Sequence, residues 1–229
     1  MAITRFDRED IVALLQELGA RLDARGLGAE VFVLGGSAIA VAYDARRVTA
    51  DIDAIFVPVD QVEREVAVIA QERGLPLGWL NNAVVGTLHG VLDDDAPRDL
   101  LASAGISVKV ASPEYILALK AMISTRELDR DIEDAATLCH LLGITSESEL
   151  EGVARRYFGA RSALGVQELR FERIIDRAER MRARDGVALL AAAGMTAAPR
   201  LRGSGPCGQW MKISKRYCAL PAGHRGQHR

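Results

Sequence analysis

Between residues 31 and 58 the chain changes character four times within a few residues, and that order restricts its fold more than any other feature. A β-branched and apolar run, Val31-Phe32-Val33-Leu34, stops abruptly at Gly35-Gly36-Ser37. Ala38-Ile39-Ala40-Val41-Ala42 then reads as a short helix, and after Arg46 and Arg47 the segment Asp51-Ile52-Asp53-Ala54-Ile55-Phe56-Val57 reads as a strand with one wet face, closed by Pro58. Strand, Gly-Gly turn, helix, strand is an α/β (α+β) signature, and we expect a small mixed sheet flanked by helices.

The surrounding chain supplies those helices. Ile11, Leu14, Leu15, Leu18 and Leu22 recur on one face from Asp7 to about Arg25, with Gly26 as the stop. Residues 61–73 are helical by pattern, and Gly74 to Pro76 end them. The stretch from Trp79 to Arg98 reads as irregular, with Asp93-Asp94-Asp95 facing solvent, and Ile106 to Val110 as a third strand. Ser112 offers an N-cap and Pro113 the favoured first position of a helix running through Ala118, Lys120 and Ile123. Further helices follow from about Asp129 to Leu142, after the capping box of Ser146 and Glu149, and over residues 164–183.

Two pieces of the opening pattern carry chemistry. A Gly-Gly turn at a helix start exposes backbone N–H groups with no Cβ in the way, and Ser37 adds a hydroxyl, so phosphate can approach. Asp51 and Asp53, spaced i, i+2 on an extended segment, point to one face and can chelate one hard cation. Each alone is commonplace, a turn and a solvated strand face. Together, about 15 residues apart, they fit the phosphate cradle and metal carboxylates of a nucleotidyl-transfer site, where magnesium neutralises triphosphate charge.

Leu34-Gly35-Gly36-Ser37-Ala38 followed by Val48-Thr49-Ala50-Asp51-Ile52-Asp53 closely resembles the nucleotidyltransferase (polymerase-β-like) superfamily, and within it the AbiEii and MenT-like toxin branch of type IV toxin–antitoxin systems. The resemblance continues at Trp79-Leu80-Asn81, at Val108-Lys109-Val110-Ala111-Ser112-Pro113-Glu114-Tyr115 leading to Lys120, and at Arg130-Asp131-Ile132-Glu133-Asp134, covering residues 7 to 145. It implies that Gly35, Gly36 and Ser37 hold an NTP's triphosphate, that Asp51 and Asp53 hold Mg2+ (or Mn2+), that Lys120 touches nucleotide phosphate, and that Asp131 or Asp134 completes the site. It also implies transfer of a nucleotide to an acceptor such as RNA or a tRNA end, by a toxin with an antitoxin protein as partner.

One departure bears on catalysis. Many members of the superfamily carry a third carboxylate on the strand after Asp-x-Asp, and here Ile106 to Val110 offers only Ser107 and Lys109 as polar residues. Activity then rests on Asp131 or Asp134, or the fold serves as a binding module without catalysis. Taken without the resemblance, Lys120 in the apolar stretch ILALKAMI either snorkels or serves a site, and Asp131 and Asp134 suit the first turn of any helix.

The C-terminus is a different kind of chain. From Ala191 the composition turns to Ala, Gly, Pro and Arg, so we divide the protein into a nucleotidyltransferase-like domain (1–145), a helical extension (146–190), a linker (191–206) and a tail (207–229). Residues 200–229 hold seven bases and no acid, leaving 22 of the 29 bases against all 31 acids in the body, a formal charge of −9. Within that tail Cys207-x10-Cys218-x5-His224-x3-His228 is the ligand set of tetrahedral zinc, and a segment this short cannot fold without such a staple. Trp210 and Tyr217, interleaved with Lys212, Lys215 and Arg216, suit contact with a nucleic-acid backbone; the alternative is a disordered basic tail.

With 229 residues, 49% hydrophobic and 26% charged, the chain suits one large domain, or one plus a fragment, folding as a soluble globule. Three cysteines make no disulfide framework, which fits a reducing cytosol, and Cys139 and His140 are explained by helix packing. No secretory leader and no run of 18 apolar residues is visible, so we expect a cytoplasmic protein without a membrane span.

Overall fold

The computed structural model describes residues 5–88, 91–123, 128–159, 164–185, 210–211 and 216–217. Helix α1 (Arg8–Asp23) starts at a reciprocal cap: Asp7 accepts from the backbone N–H of Asp10 at 3.0 Å, and Asp10 accepts from that of Asp7 at 3.2 Å. Its apolar face, Ile11, Leu14, Leu15, Leu18 and Leu22, is buried as the periodicity predicts. Gly19 lets this helix lie on the sheet, since a Cβ there would come within 2.4 Å of the Ile106 side chain.

Strand β1 (Ala29–Val33) leads into the short helix α2 (Gly35–Ala38), which widens into one π-type turn over Ile39–Tyr43. Then come β2 (Ile52–Val57), α3 (Val59–Arg73) and β3 (Leu80–Asn81). A 3-10 turn (Ala83–Thr87) precedes β4 (Arg98–Ser103) and β5 (Ile106–Val110). Four helices complete the body: α4 (Pro113–Met122), α5 (Leu128–Leu142), α6 (Glu147–Phe158) and α7 (Leu164–Asp185).

The five strands form one mixed sheet in the order β3-β2-β1-β5-β4. At its centre β1 pairs antiparallel with β2 and parallel with β5. One hydrophobic cluster joins the sheet (Val31, Val33, Phe56, Val108) to α1, α4 and α5, and also takes in Leu150 and Tyr157 of α6 and Ile174 and Ala178 of α7. The segment after residue 145 therefore packs into the same core as the sheet. Cys139 lies in that core, where burial pushes its thiol up to about 12.

The region expected to be irregular holds structure. Leu80–Asn81 adds a short edge strand beside β2 and Ala83–Thr87 forms a 3-10 turn; β4, which begins at the last residue of that stretch, Arg98, forms the opposite edge, with a register shift between Asp99 and Leu101 that removes the alternation by which a strand is read. Asp94 is also not simply solvated. It accepts from the Ser112 backbone N–H at 2.6 Å and from its hydroxyl at 2.8 Å, fixing the β5–α4 junction, and burial holds its carboxyl above the ordinary carboxylate value. Ser112 Oγ in turn accepts from Tyr115 N–H at 3.1 Å, the cap its sequence predicts.

Among the described residues no helix is long and apolar enough to cross a membrane. In the tail Trp210–Met211 pairs antiparallel with Arg216–Tyr217. Cys207, Cys218, His224, His228 and the 191–206 linker lie outside the described residues.

Candidate nucleotide site

The antiparallel pairing of β1 and β2 brings the Gly-Gly turn onto Asp53. The register runs Glu30↔Val57 to Val33↔Ala54, and one residue beyond it Leu34 N–H donates to the Asp53 carbonyl at 2.9 Å. Gly35 follows with φ +59°, and a Cβ built there would stand 2.7 Å from Asp53 Oδ2. Both the backbone conformation and the space exclude a side chain. The two pieces noted in the sequence are thus in contact, with a carboxylate oxygen resting against bare backbone.

Asp53 also faces Asn81, its register partner on β3. Asn81 Oδ1 accepts from Ala83 N–H at 3.1 Å, which turns its Nδ2 toward the carboxylates; that Nδ2 lies 3.4 Å from Asp51 Oδ2. Asp51 itself sits one residue before β2 begins, still on the same face as Asp53. Burial, and next the charge of Asp51, hold the Asp53 carboxyl above its ordinary value, opposed by Lys120, Asn81 and Arg130.

A second group of charges stands on α4 and α5. Lys120 Nζ is 2.6 Å from Asp131 Oδ1 and 3.2 Å from Asp134 Oδ2. Asp131 and Asp134, one helical turn apart, are 2% and 3% exposed, so these pairs are desolvated and hold one geometry. Arg47 Nη2 binds Asp134 on both oxygens, at 2.9 and 3.0 Å. Arg170 of α7 lies 3.8 Å from Asp131 and donates to the carbonyls of Lys120 and Ile123 at 2.5 and 3.1 Å, satisfying the open end of α4.

A scan of protein-family models, a search of curated proteins and a search of solved structures each find no match for this chain.

Gly35, Gly36, Asp51 and Asp53 are brought together. Lys120, Asp131 and Asp134 form a neighbouring ionic cluster whose lysine acts electrostatically on Asp53. Ser37 is placed differently from a phosphate ligand: it is fully buried, and its hydroxyl donates to the Leu34 carbonyl at 2.7 Å. Among the described residues no group of three or more His, Cys, Asp or Glu converges as a metal centre. Magnesium is commonly held by one or two carboxylates, with substrate phosphates and water supplying the remaining oxygens. The Asp51–Asp53 pair, two mutually repelling carboxylates beside a bare turn, fits that mode of binding, while Asn81 presents a donor nitrogen and is no ligand.

Arg47 and the amide role of Asn81 were not read from the sequence. The available signal was position: the loop from the π-type turn into β2 must return to the edge of the Gly-Gly turn, so its bases land beside that turn. Arg130 does the same from α5, donating to the Val48 carbonyl at 3.3 Å.

Proposed function

We propose that this protein is a metal-dependent nucleotidyltransferase that binds an NTP between the Gly35–Gly36 turn and the Asp51–Asp53 pair. The observation that carries the reading is the 2.7 Å approach of Asp53 Oδ2 to the Cβ position of Gly35, which puts metal-type carboxylates and a side-chain-free turn at one point. When bound, Mg2+ (or Mn2+) supplies charge neutralisation for the phosphates. In the transfer an acceptor hydroxyl oxygen forms a bond to the α-phosphorus, the bond to the β-phosphate oxygen breaks, pyrophosphate leaves, and the hydroxyl proton passes to solvent. The chain's own part is to orient the phosphates along the turn and to set the positive charge of Lys120 near Asp53.

The acceptor on this reading is RNA, such as a tRNA end. The −9 body disfavours RNA, and the seven bases after residue 199 supply the attraction, with Cys207, Cys218, His224 and His228 folding that tail around zinc. The toxin role, with an antitoxin partner in the cytoplasm, rests on the motif resemblance alone.

A second reading has a specific observation in its favour. Asp131 and Asp134 are occupied by Lys120, Arg47 and Arg170, and β5 carries Ser107 and Lys109, so none of these positions offers an unengaged carboxylate to accept the hydroxyl proton. On that reading the fold binds nucleotide without transferring it. Incubation with each labelled NTP, Mg2+ or Mn2+ and total RNA separates the two, with Asp53→Ala as control. Label transfer that disappears in the variant supports the enzyme; NTP binding without transfer supports the binding module; neither binding nor transfer ends both.

A further inference from the structure

We infer that Arg47 is a phosphate-contacting residue of this site, held in place by Asp134, and that it makes the site distinguish nucleoside triphosphates from monophosphates. The inference rests on the nucleotide reading above and adds to it a residue and a selectivity.

Arg47 lies against the second glycine of the turn. A Cβ at Gly36 would meet Arg47 Nη2 at 3.5 Å, so the guanidinium packs against the bare backbone of the turn that the proposal gives to phosphate. The fork is partly committed: Nη2 donates to both oxygens of Asp134 at 2.9 and 3.0 Å, and Nη1 donates one of its two N–H groups to the Val48 carbonyl at 3.3 Å. Its Nε is buried and meets no acceptor among the described residues. Buried donors are rarely left unmet, and a guanidinium presents its N–H groups in a plane suited to phosphate oxygens.

Asp134 explains the placement. It is nearly inaccessible and binds Arg47 and Lys120 together, so one carboxylate fixes both cations. Lys120, Arg47 and Arg170 against Asp131 and Asp134 leave one positive charge in excess, while Asp51 and Asp53 face it with two negative charges. A metal-bound triphosphate matches both halves, its cation toward the Asp pair and its outer phosphates toward Arg47. A monophosphate is too short to engage both. Asp134 is accordingly a positioning residue rather than a metal ligand.

The test is equilibrium titration of the full chain with the four NTPs and the four NMPs in Mg2+, for the parent, Arg47→Ala, Arg47→Lys and Asp134→Asn. The ratio of triphosphate to monophosphate affinity should fall about tenfold to a hundredfold in Arg47→Ala, as loss of a charge-assisted contact implies. Arg47→Lys should recover part of it, because a point charge replaces a fork. Asp134→Asn should shift the ratio in the same direction. A ratio unchanged in Arg47→Ala overturns the inference even if overall affinity falls, since a merely structural arginine would weaken both ligands alike. Should Arg47→Ala fail to fold, unchanged ratios in Arg47→Lys and Asp134→Asn overturn it equally. A parent that binds no NTP overturns the nucleotide site and this inference together, whereas Asp53-dependent NTP binding with an unchanged ratio overturns only the role of Arg47.

Discussion

At the scale of single residues, Gly35 and Asp53 decide whether the site exists. Gly35→Ala places a Cβ at positive φ and against a carboxylate oxygen, and should cost about 1–3 kcal/mol, read as a lower urea midpoint with unchanged m-value. Asp53 predicts an opposite effect on stability. Its folded-state proton affinity is raised by burial and by Asp51, so the folded state binds its proton more tightly than the unfolded chain does. The contribution is fully present below the ordinary aspartate value and is lost as pH rises through the raised one. Asp53→Asn should therefore be more stable than the parent at pH 7, with the difference shrinking toward pH 4, in paired denaturant titrations; a variant less stable than the parent at pH 7 contradicts the proposed electrostatics. These residues were legible because their signal is local: Gly-Gly after an apolar run, two acids spaced by one residue. The place of Arg47 and the amide role of Asn81 were not, because their partners stand 87 and 30 residues away and no short window joins them.

At the scale of elements, α4 and α5 are joined by buried charge as well as by packing. Lys120→Met removes the 2.6 Å partner of Asp131, which is 2% exposed, and should destabilise the fold by about 3 kcal/mol in equilibrium unfolding. A loss below about 1 kcal/mol would show that the lysine snorkels to solvent, the plain reading of an isolated lysine on an apolar helix. Helix α7 is held otherwise. Its pairs Arg173–Asp129 and Arg177–Glu133 are largely exposed and contribute little, whereas Phe171, Ile174, Ile175 and Ala178 are buried. Most helices were legible, since their caps and 3.6-residue periodicity are written in consecutive residues. Strand β4 was not, because a bulged edge strand shows no alternation, nor was β3, whose two residues are set by their neighbour on β2 rather than by their own pattern.

At the scale of the whole molecule, the hydrophobic cluster runs from α1 to α7, so a chain ending at residue 145 should lose its cooperative unfolding transition while one ending at residue 190 keeps it. Removal of residues 204–229 tests the other end. It should abolish bound zinc and flatten the salt dependence of RNA binding, by a slope of up to about 3.5 if the five bases it removes (Lys212, Lys215, Arg216, Arg225 and Arg229) all contact single-stranded phosphates, while leaving NTP affinity unchanged. Unchanged zinc content would reject the Cys207, Cys218, His224 and His228 assignment. On the proposed function, Asp51 and Asp53 hold a cation that helps the Gly35–Gly36 turn bind a nucleotide. The most direct measurement is NTP affinity with and without Mg2+, for the parent and for Asp53→Asn. Mg2+ should strengthen binding in the parent and have little effect in the variant. A parent without NTP affinity in Mg2+, or a variant that gains as much from Mg2+ as the parent, would contradict it.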